Sequence, residues 1–504
     1  MDRDRLYQVW HHDDEGCSGA IGSGAAFEAE LTGYGSNDFV LDFLVGSGLW
    51  GVLTSMRPDG LRKDNGKPWR ALNGVEVLRE LARVERIGHC GKIVRDVGLM
   101  LIAGFNAEVV HRARCQSRGV LDPETLSNHL SRISPRSAAE TFCEHIGLMR
   151  RMRWIRGKTY VADAHEIIVP YGRRFERLGK VGDKYGYKLV MLLNATADRE
   201  RVMGFVLAPL QHGERSLLRI ILRGLQERFG RLGDWMNTLI LDRGYWGADY
   251  LLGLKRRYGV DLVTRAQHEG LEWAKDIQGL ASDPETPWRW RRESHSRLGE
   301  MDVRCAGFEE VDLIDDRGEV IGQLNGVVAE EYDLERNRLR DEEGRERPGF
   351  VYATTLPTAE KPERTRDYYR MRWVIENQGF RELTQQWALD RLAGRRFNTL
   401  NSRISFAFML YNAERILRMK HPGPWQSERR RLRDLGERNL LGGPSVAVYT
   451  RDGGLGLYTP AEYGQLIAER ERNRIVGTLR RGLARGESLE RLLDRLKDNP
   501  PRKA

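Results

Sequence analysis

Three carboxylates in this sequence stand where a solvated-surface explanation is least comfortable. Asp163 lies in YVADAHEI, an otherwise largely apolar stretch with the two-residue period of a strand. Asp242 lies in LILDRGY, directly after an apolar, strand-favouring run. Glu376 lies in YYRMRWVIENQGFRELTQQW, where Tyr369, Arg372, Glu376, Phe380, Leu383 and Trp387 recur at steps of three and four and so share one helical face. A carboxylate at such a place is costly to desolvate unless a cation partners it. Three of them together repel one another, and a divalent metal relieves that repulsion; oxygen-only donors suit Mg²⁺ or Mn²⁺. Taken singly, each acid reads better as a turn former or a salt-bridged residue, so the case rests on the trio.

The elements that must position these acids follow from the change of hydrophobic period. From Gly74 to about Arg153 the pattern is helical. Within it, LDPETLSNHLSRIS offers a proline at a helix start, an apolar step through Leu126 and Leu130, and an expected exposed face of Asn128, His129 and Arg132. This reads either as the reading helix of a helix-turn-helix, with Arg132 on DNA, or as one more bundle helix. At Lys158 the period shortens to two. KTYVADAHEIIV, YKLVMLLNAT and RVMGFVLAPL are three successive strands, followed by a helix, the strand TLILDRG, a helix and the strand VDLVTRA. That succession predicts a mixed α/β sheet flanked by helices.

The predicted organisation is a flexible N-terminal arm over 1–70, a helical domain over 71–153, and an α/β part over 154–266. A charged, strand-like stretch over 267–348 follows, then a further α/β part over 349–420 and a basic helical tail over 421–504. The arm is expected because 1–36 is rich in Gly, Ser and acidic residues. The formal net charge of +10, with only 13 lysines among 82 basic residues, suggests a polyanionic partner met by arginine forks. A generic basic surface explains the charge alone about as well. The five cysteines show no C-x-x-C and no paired histidines, which argues against a zinc site or a disulfide framework. The longest apolar run, VGLMLIAGF, is too short to span a bilayer, so a cytoplasmic protein is expected, nucleoid-associated if its polyanionic partner is DNA.

With these motifs in place, the chain resembles the DDE transposases of bacterial insertion sequences over about residues 155–415. Asp163 matches the first acid, and Asp242 followed by RGY matches the second. YRMRWVIE matches the Tyr-x2-Arg-x3-Glu signature of the branch with a β-rich insertion, so Tyr369, Arg372 and Glu376 take that signature's places. The 79 residues from Asp163 to Asp242 leave room for two strands, a helix and a fourth strand, and the 134 from Asp242 to Glu376 leave room for the insertion. The resemblance implies an RNase H-like core and metal-dependent cleavage of DNA at element ends. It also implies strand transfer into target DNA, with two Mg²⁺ or Mn²⁺ ions held by Asp163, Asp242 and Glu376. The partners it implies are double-stranded DNA and a second copy of the chain in the DNA complex.

The chain departs from the signature at one place: the lysine expected at position 383 is Leu383, and Arg381 is the nearest basic residue. Arg381, Arg372, Tyr369 and Lys188 are the candidate phosphate contacts of the core, with Lys180 and Lys184 in the loop before Lys188. His165, two residues after Asp163, borders the site or packs beside it. Trp288 and Trp290 are candidates to hold an unstacked base, or packing residues. Two readings compete with a transposase: a nuclease of the same fold without strand transfer, and a transposase-derived DNA-binding protein. The second would betray itself by loss of an acid, and all three acids are present. A glycosidase with paired carboxylates is more distant, because it gives no reason for the basic excess.

Overall fold

The computed structural model describes residues 7–498 except 26, 34–38, 61–66, 116–118, 171–173, 196–199, 267–270, 296–298, 315–317, 341–343, 348, 393 and 422–443. The chain forms two compact units, one of Met1–Thr141 with Asn398–Ala504 and one of Phe142–Phe397. Strands are numbered β1 to β14 along the chain.

The first unit joins the two ends of the sequence. Strands β1 (His11–His12), β2 (Phe27–Thr32), β13 (Ser445–Thr450) and β14 (Gly454–Tyr458) form one sheet in the order β1-β14-β13-β2. The arm expected over 1–70 is therefore ordered where it is described. Asp13 caps the helix Asp14–Ser23 by accepting from the Gly16 N–H at 2.8 Å, and Cys17 and Ile21 on that helix pack against Val446, Val448 and Tyr458. Local composition could not show this, because the strands that order the segment lie more than 400 residues away. The tail beyond 421, expected to be helical, likewise supplies two strands before its helices Pro460–Ala484 and Leu489–Asp498.

Buried charge characterises the helical part of this unit. On the helix Trp69–Leu81, Glu76, Arg79 and Glu80 are all buried, and Arg79 bridges the two glutamates. Arg403 reaches Glu80 at 3.0 Å. On the helix Pro123–Ser131, Asp122 caps the N-terminus and Pro123 opens it, as expected. His129 is not on the exposed face expected for it: it is buried, with Nε2 2.8 Å from Asn73 Oδ1. Arg132 is exposed.

The second unit is built on a ten-stranded mixed sheet with β6 paired to β5. Its strands are β3 (Thr159–Ile168), β4 (Gly179–Val181), β5 (Lys184–Asn194), β6 (Arg201–Pro209), β7 (Thr238–Leu241), β8 (Asp261–Arg265), β9 (Arg289–His295), β10 (Gly299–Ile314), β11 (Val320–Tyr332) and β12 (Phe350–Thr354). Strand β3 runs antiparallel to β5 and parallel to β7, and β7 runs parallel to β8, which fits the RNase H-like core expected. Long apolar runs explain the burial of the central strands: nothing in β7 reaches solvent, and most of β5 is covered. Strands β9 to β11, in the stretch expected as an insertion, continue the same sheet through β12, which pairs with both β11 and β8. Their inner face forms a small core of Met301, Val303, Cys305, Val327, Ala329 and Tyr352, against which Tyr369 packs.

Candidate functional site

Register alone brings two of the acids together. Strands β3 and β7 pair in parallel with Ala162 opposite Leu241, so Asp163 and Asp242, each the next residue, stand side by side at the end of the pairing. Strands β7 and β8 pair with Ile240 opposite Val263, so Asp242 and Arg265, each two residues on, come out side by side, with Arg265 still paired to Tyr352 of β12. Asp242 then opens the short 3₁₀ turn Arg243–Tyr245, and its carbonyl accepts from Thr264 Oγ1 at 3.3 Å.

The third acid arrives on a helix that is not regular. The helix Glu363–Arg370 passes through a short turn, Arg372–Val374, into a π-helical turn, Ile375–Phe380, and resumes as Arg381–Trp387. A π turn widens the helix by one residue and often marks a functional position; Glu376 lies in its first turn. The apolar half of the face works as its pattern suggests. Phe380, Leu383 and Trp387 are buried, and the His165 ring stacks on Phe380 at 5.1 Å and 21°. Gly379 lets the turn approach the sheet, since a Cβ there would lie 2.9 Å from Met191 Cε.

Arg372 occupies the centre of the acids. Its Nη1 donates to Glu376 Oε1 and lies 3.4 Å from Asp163 Oδ2, while its Nε lies 3.4 Å from Asp242 Oδ1. Tyr369 donates its hydroxyl to Asp242 Oδ1 at 3.2 Å. Asp163 is the most enclosed acid, 13% exposed against 28% for Asp242 and 34% for Glu376. Burial pushes its pKa up to about 7; the Ala164 N–H and Arg372 oppose that shift, and Asp242 and Glu376 add to it. Burial works against the charge on Arg372, but the hydrogen bond to Glu376 and the nearness of Asp242 outweigh it and hold its pKa above the usual value.

Asp242, Glu376, Arg372 and Tyr369 line a cleft of about 730 Å³, and Asp163 adjoins it through Arg372. Its walls include Arg243, Arg265, Arg347, Arg366 and Arg370, none of which the sequence reading singled out. A signal for some of them was present: Arg243 adjoins Asp242, and Arg366 and Arg370 stand one helical turn apart just ahead of Arg372. Arg366 is nearly fully buried between Glu293 of β9, at 3.3 Å, and Glu331 of β11, at 2.9 Å. The extended sheet is thus clamped to the helix that leads to Glu376.

The other candidates lie apart from this cluster or are engaged elsewhere. Lys188 is on β5 and pairs with Glu214 at 3.4 Å. Arg381 is exposed and is not among the cleft-lining residues, and Leu383, where the signature has lysine, is fully buried. Arg132 belongs to the other unit. His165 is held by Asp390 at 2.8 Å. Trp288 and Trp290 each meet an arginine, Arg304 at 4.2 Å from the Trp288 ring centre and Arg336 at 4.7 Å from that of Trp290, and Trp290 remains exposed.

Among the described residues no three His, Cys, Asp or Glu side chains stand grouped as ligands of one ion. The three acids converge on a guanidinium instead. The donor set nevertheless fits a hard divalent cation, being all carboxylate and already gathered around a positive charge. No described helix is long and apolar enough to cross a membrane. A family model described as a transposase DDE domain matches residues 148–413, more than half of the chain. No curated protein matches it.

Proposed function

The chain belongs to the DDE transposase family, and from that premise we propose that it cleaves DNA at the ends of an insertion element and joins the freed 3′ end to target DNA. The observation that carries this reading is the convergence of Asp163, Asp242 and Glu376 on Arg372, beside an arginine-walled cleft that Asp242 and Glu376 line. In this reading the three carboxylates hold two Mg²⁺ or Mn²⁺ ions. When bound, such ions supply Lewis-acid activation of the attacking oxygen and neutralise charge at the leaving oxygen. The protein's own groups do the positioning. Arg243, Arg265 and Arg370 line the walls as donors to phosphate oxygens, which guanidinium forks match well. Tyr369 fixes the Asp242 carboxylate through its hydroxyl.

Residues 154–266 and 349–420 act as the catalytic core and 267–348 as its insertion. Residues 71–153 serve as a DNA-binding domain, with Arg132 on the phosphate backbone. Arg381 and Lys188 are outer phosphate contacts, Lys188 after exchange of its Glu214 partner. Holding two element ends at once requires at least two copies of the chain.

The test is Mg²⁺-dependent cleavage and strand transfer on the DNA flanking the coding sequence, with Asp242→Asn alongside. The variant is expected to lose about 10³-fold or more in rate, since the carboxylate acts only when it holds charge at the reacting phosphate. An Asp242→Asn protein that cuts as fast as the parent would sink the assignment.

A further inference from the structure

On the reading just given, that Asp163, Asp242 and Glu376 hold divalent cations, we propose that Arg372 is their placeholder. In the cation-free protein it is the counter-ion that gathers the three carboxylates, and cation binding releases it into the cleft. It is a positioning residue before the reaction and a phosphate contact during it.

Geometry and charge balance carry the inference. A guanidinium is a planar fork suited to one carboxylate, or to two in its own plane. Here it serves three. Only Glu376 is at close range; Asp163 and Asp242 each stand at 3.4 Å. The buried Nε faces Asp242 without completing a hydrogen bond, so the clamp is only partly satisfied. One positive charge also leaves three carboxylates undercompensated, and a divalent cation at the same point would offset more of their charge. The exchange then favours the ion, and the guanidinium has a place to go. Even while it holds the acids, Arg372 has the Tyr369 ring at 5.8 Å and the exposed Trp373 ring at 5.4 Å, and all three line the open cleft. A guanidinium leaving the acids therefore has aromatic faces beside it to stack on.

Arg372 and the cation therefore compete for one set of acids, and competition is a coupling that can be measured from either side. The experiment is Mn²⁺ binding to the full chain without DNA, by calorimetry or by the free-ion electron paramagnetic resonance signal. It compares the parent, Arg372→Ala, Arg372→Lys and Asp242→Asn. Removing the competitor is expected to tighten Mn²⁺ binding about tenfold in Arg372→Ala. Arg372→Lys, which keeps the charge but cannot span the acids, should fall between.

The same loss should lower the melting temperature of the cation-free protein, and Mn²⁺ should raise that of Arg372→Ala more than that of the parent. Mn²⁺ binding that is lost in Asp242→Asn yet unchanged in Arg372→Ala overturns the exchange alone. Mn²⁺ binding that survives intact in Asp242→Asn overturns the three-acid site itself, and the exchange with it.

Discussion

Two clusters of charge, one in each unit, solve the same problem in opposite ways. In the first unit Glu76 and Glu80 meet Arg79 and Arg403, all of them buried. In the second unit Asp163, Asp242 and Glu376 share Arg372, which lines an open cleft. The first set has two acids against two guanidiniums, whereas the second has three acids against one. Burial pushes the pKa of Glu76 up and Arg79 pulls it back; burial likewise opposes the charge on Arg79, and the two glutamates restore it. A balanced set like this joins its own helices together and has no call on an outside ion. An unbalanced one keeps affinity for more positive charge.

The largest expected effect separates the two clusters by stability. Arg79→Met leaves Glu76 and Glu80 buried without their shared cation, and should cost about 3–5 kcal/mol in a denaturant titration. Arg372→Ala should cost clearly less, because Asp242 and Glu376 keep access to water. Equal losses in the two variants would erase the distinction drawn here.

A second effect depends on pH and has the opposite sign to a paired acid. The folded pKa of Asp163, about 7, lies above its ordinary value of 3.8. The folded state therefore binds more protons than the unfolded chain between those values. Asp163 thus disfavours folding progressively as pH rises through that window. Cation-free Asp163→Asn should be more stable than the parent at pH 8 by about 1–3 kcal/mol, with the gap closing toward pH 4. A pH-independent gap would show that Asp163 titrates normally.

The smallest effect concerns a buried group outside both clusters. His145 is fully buried and neither ring nitrogen has a hydrogen-bond partner. Burial, with Arg201 adding to it, lowers its pKa from 6.5 to about 3. The unfolded chain takes up that proton first, so stability falls as pH drops below 6.5. At pH 5.5, His145→Gln should lose about 1 kcal/mol less than the parent relative to pH 7.5, read from unfolding at the two pH values.

The acids were legible in the sequence because each breaks a local rule. Asp163 interrupts a strand, Asp242 ends one, and Glu376 sits among aromatics on a helical face. The order of β3, β5, β6, β7 and β8 followed from the change of period at Lys158. What stayed hidden depends on distant pairing. The π turn under Glu376 leaves no mark in residue spacing, and the strands that order the N-terminal segment lie near the other end of the chain. His129 looked like a surface reader because its buried partner, Asn73, lies on another helix. The cleft arginines were lost among many others, and only the register of β7 with β8 reveals that Arg265 stands beside Asp242.

Because β12 carries the hydrogen-bond ladder from β8 to β11, strands β9 to β11 are not a detachable module. Excising β9 to β11 would turn the apolar FVYAT strand into a bare edge, offering its free amides and carbonyls to any other chain. It would also strip the Tyr369 ring of all its packing partners in this core but Tyr352, and Arg366 of both its glutamates. A shortened descendant of this protein would thus inherit self-association together with a misplaced Glu376. That couples the length of the insertion to the solubility of the whole molecule.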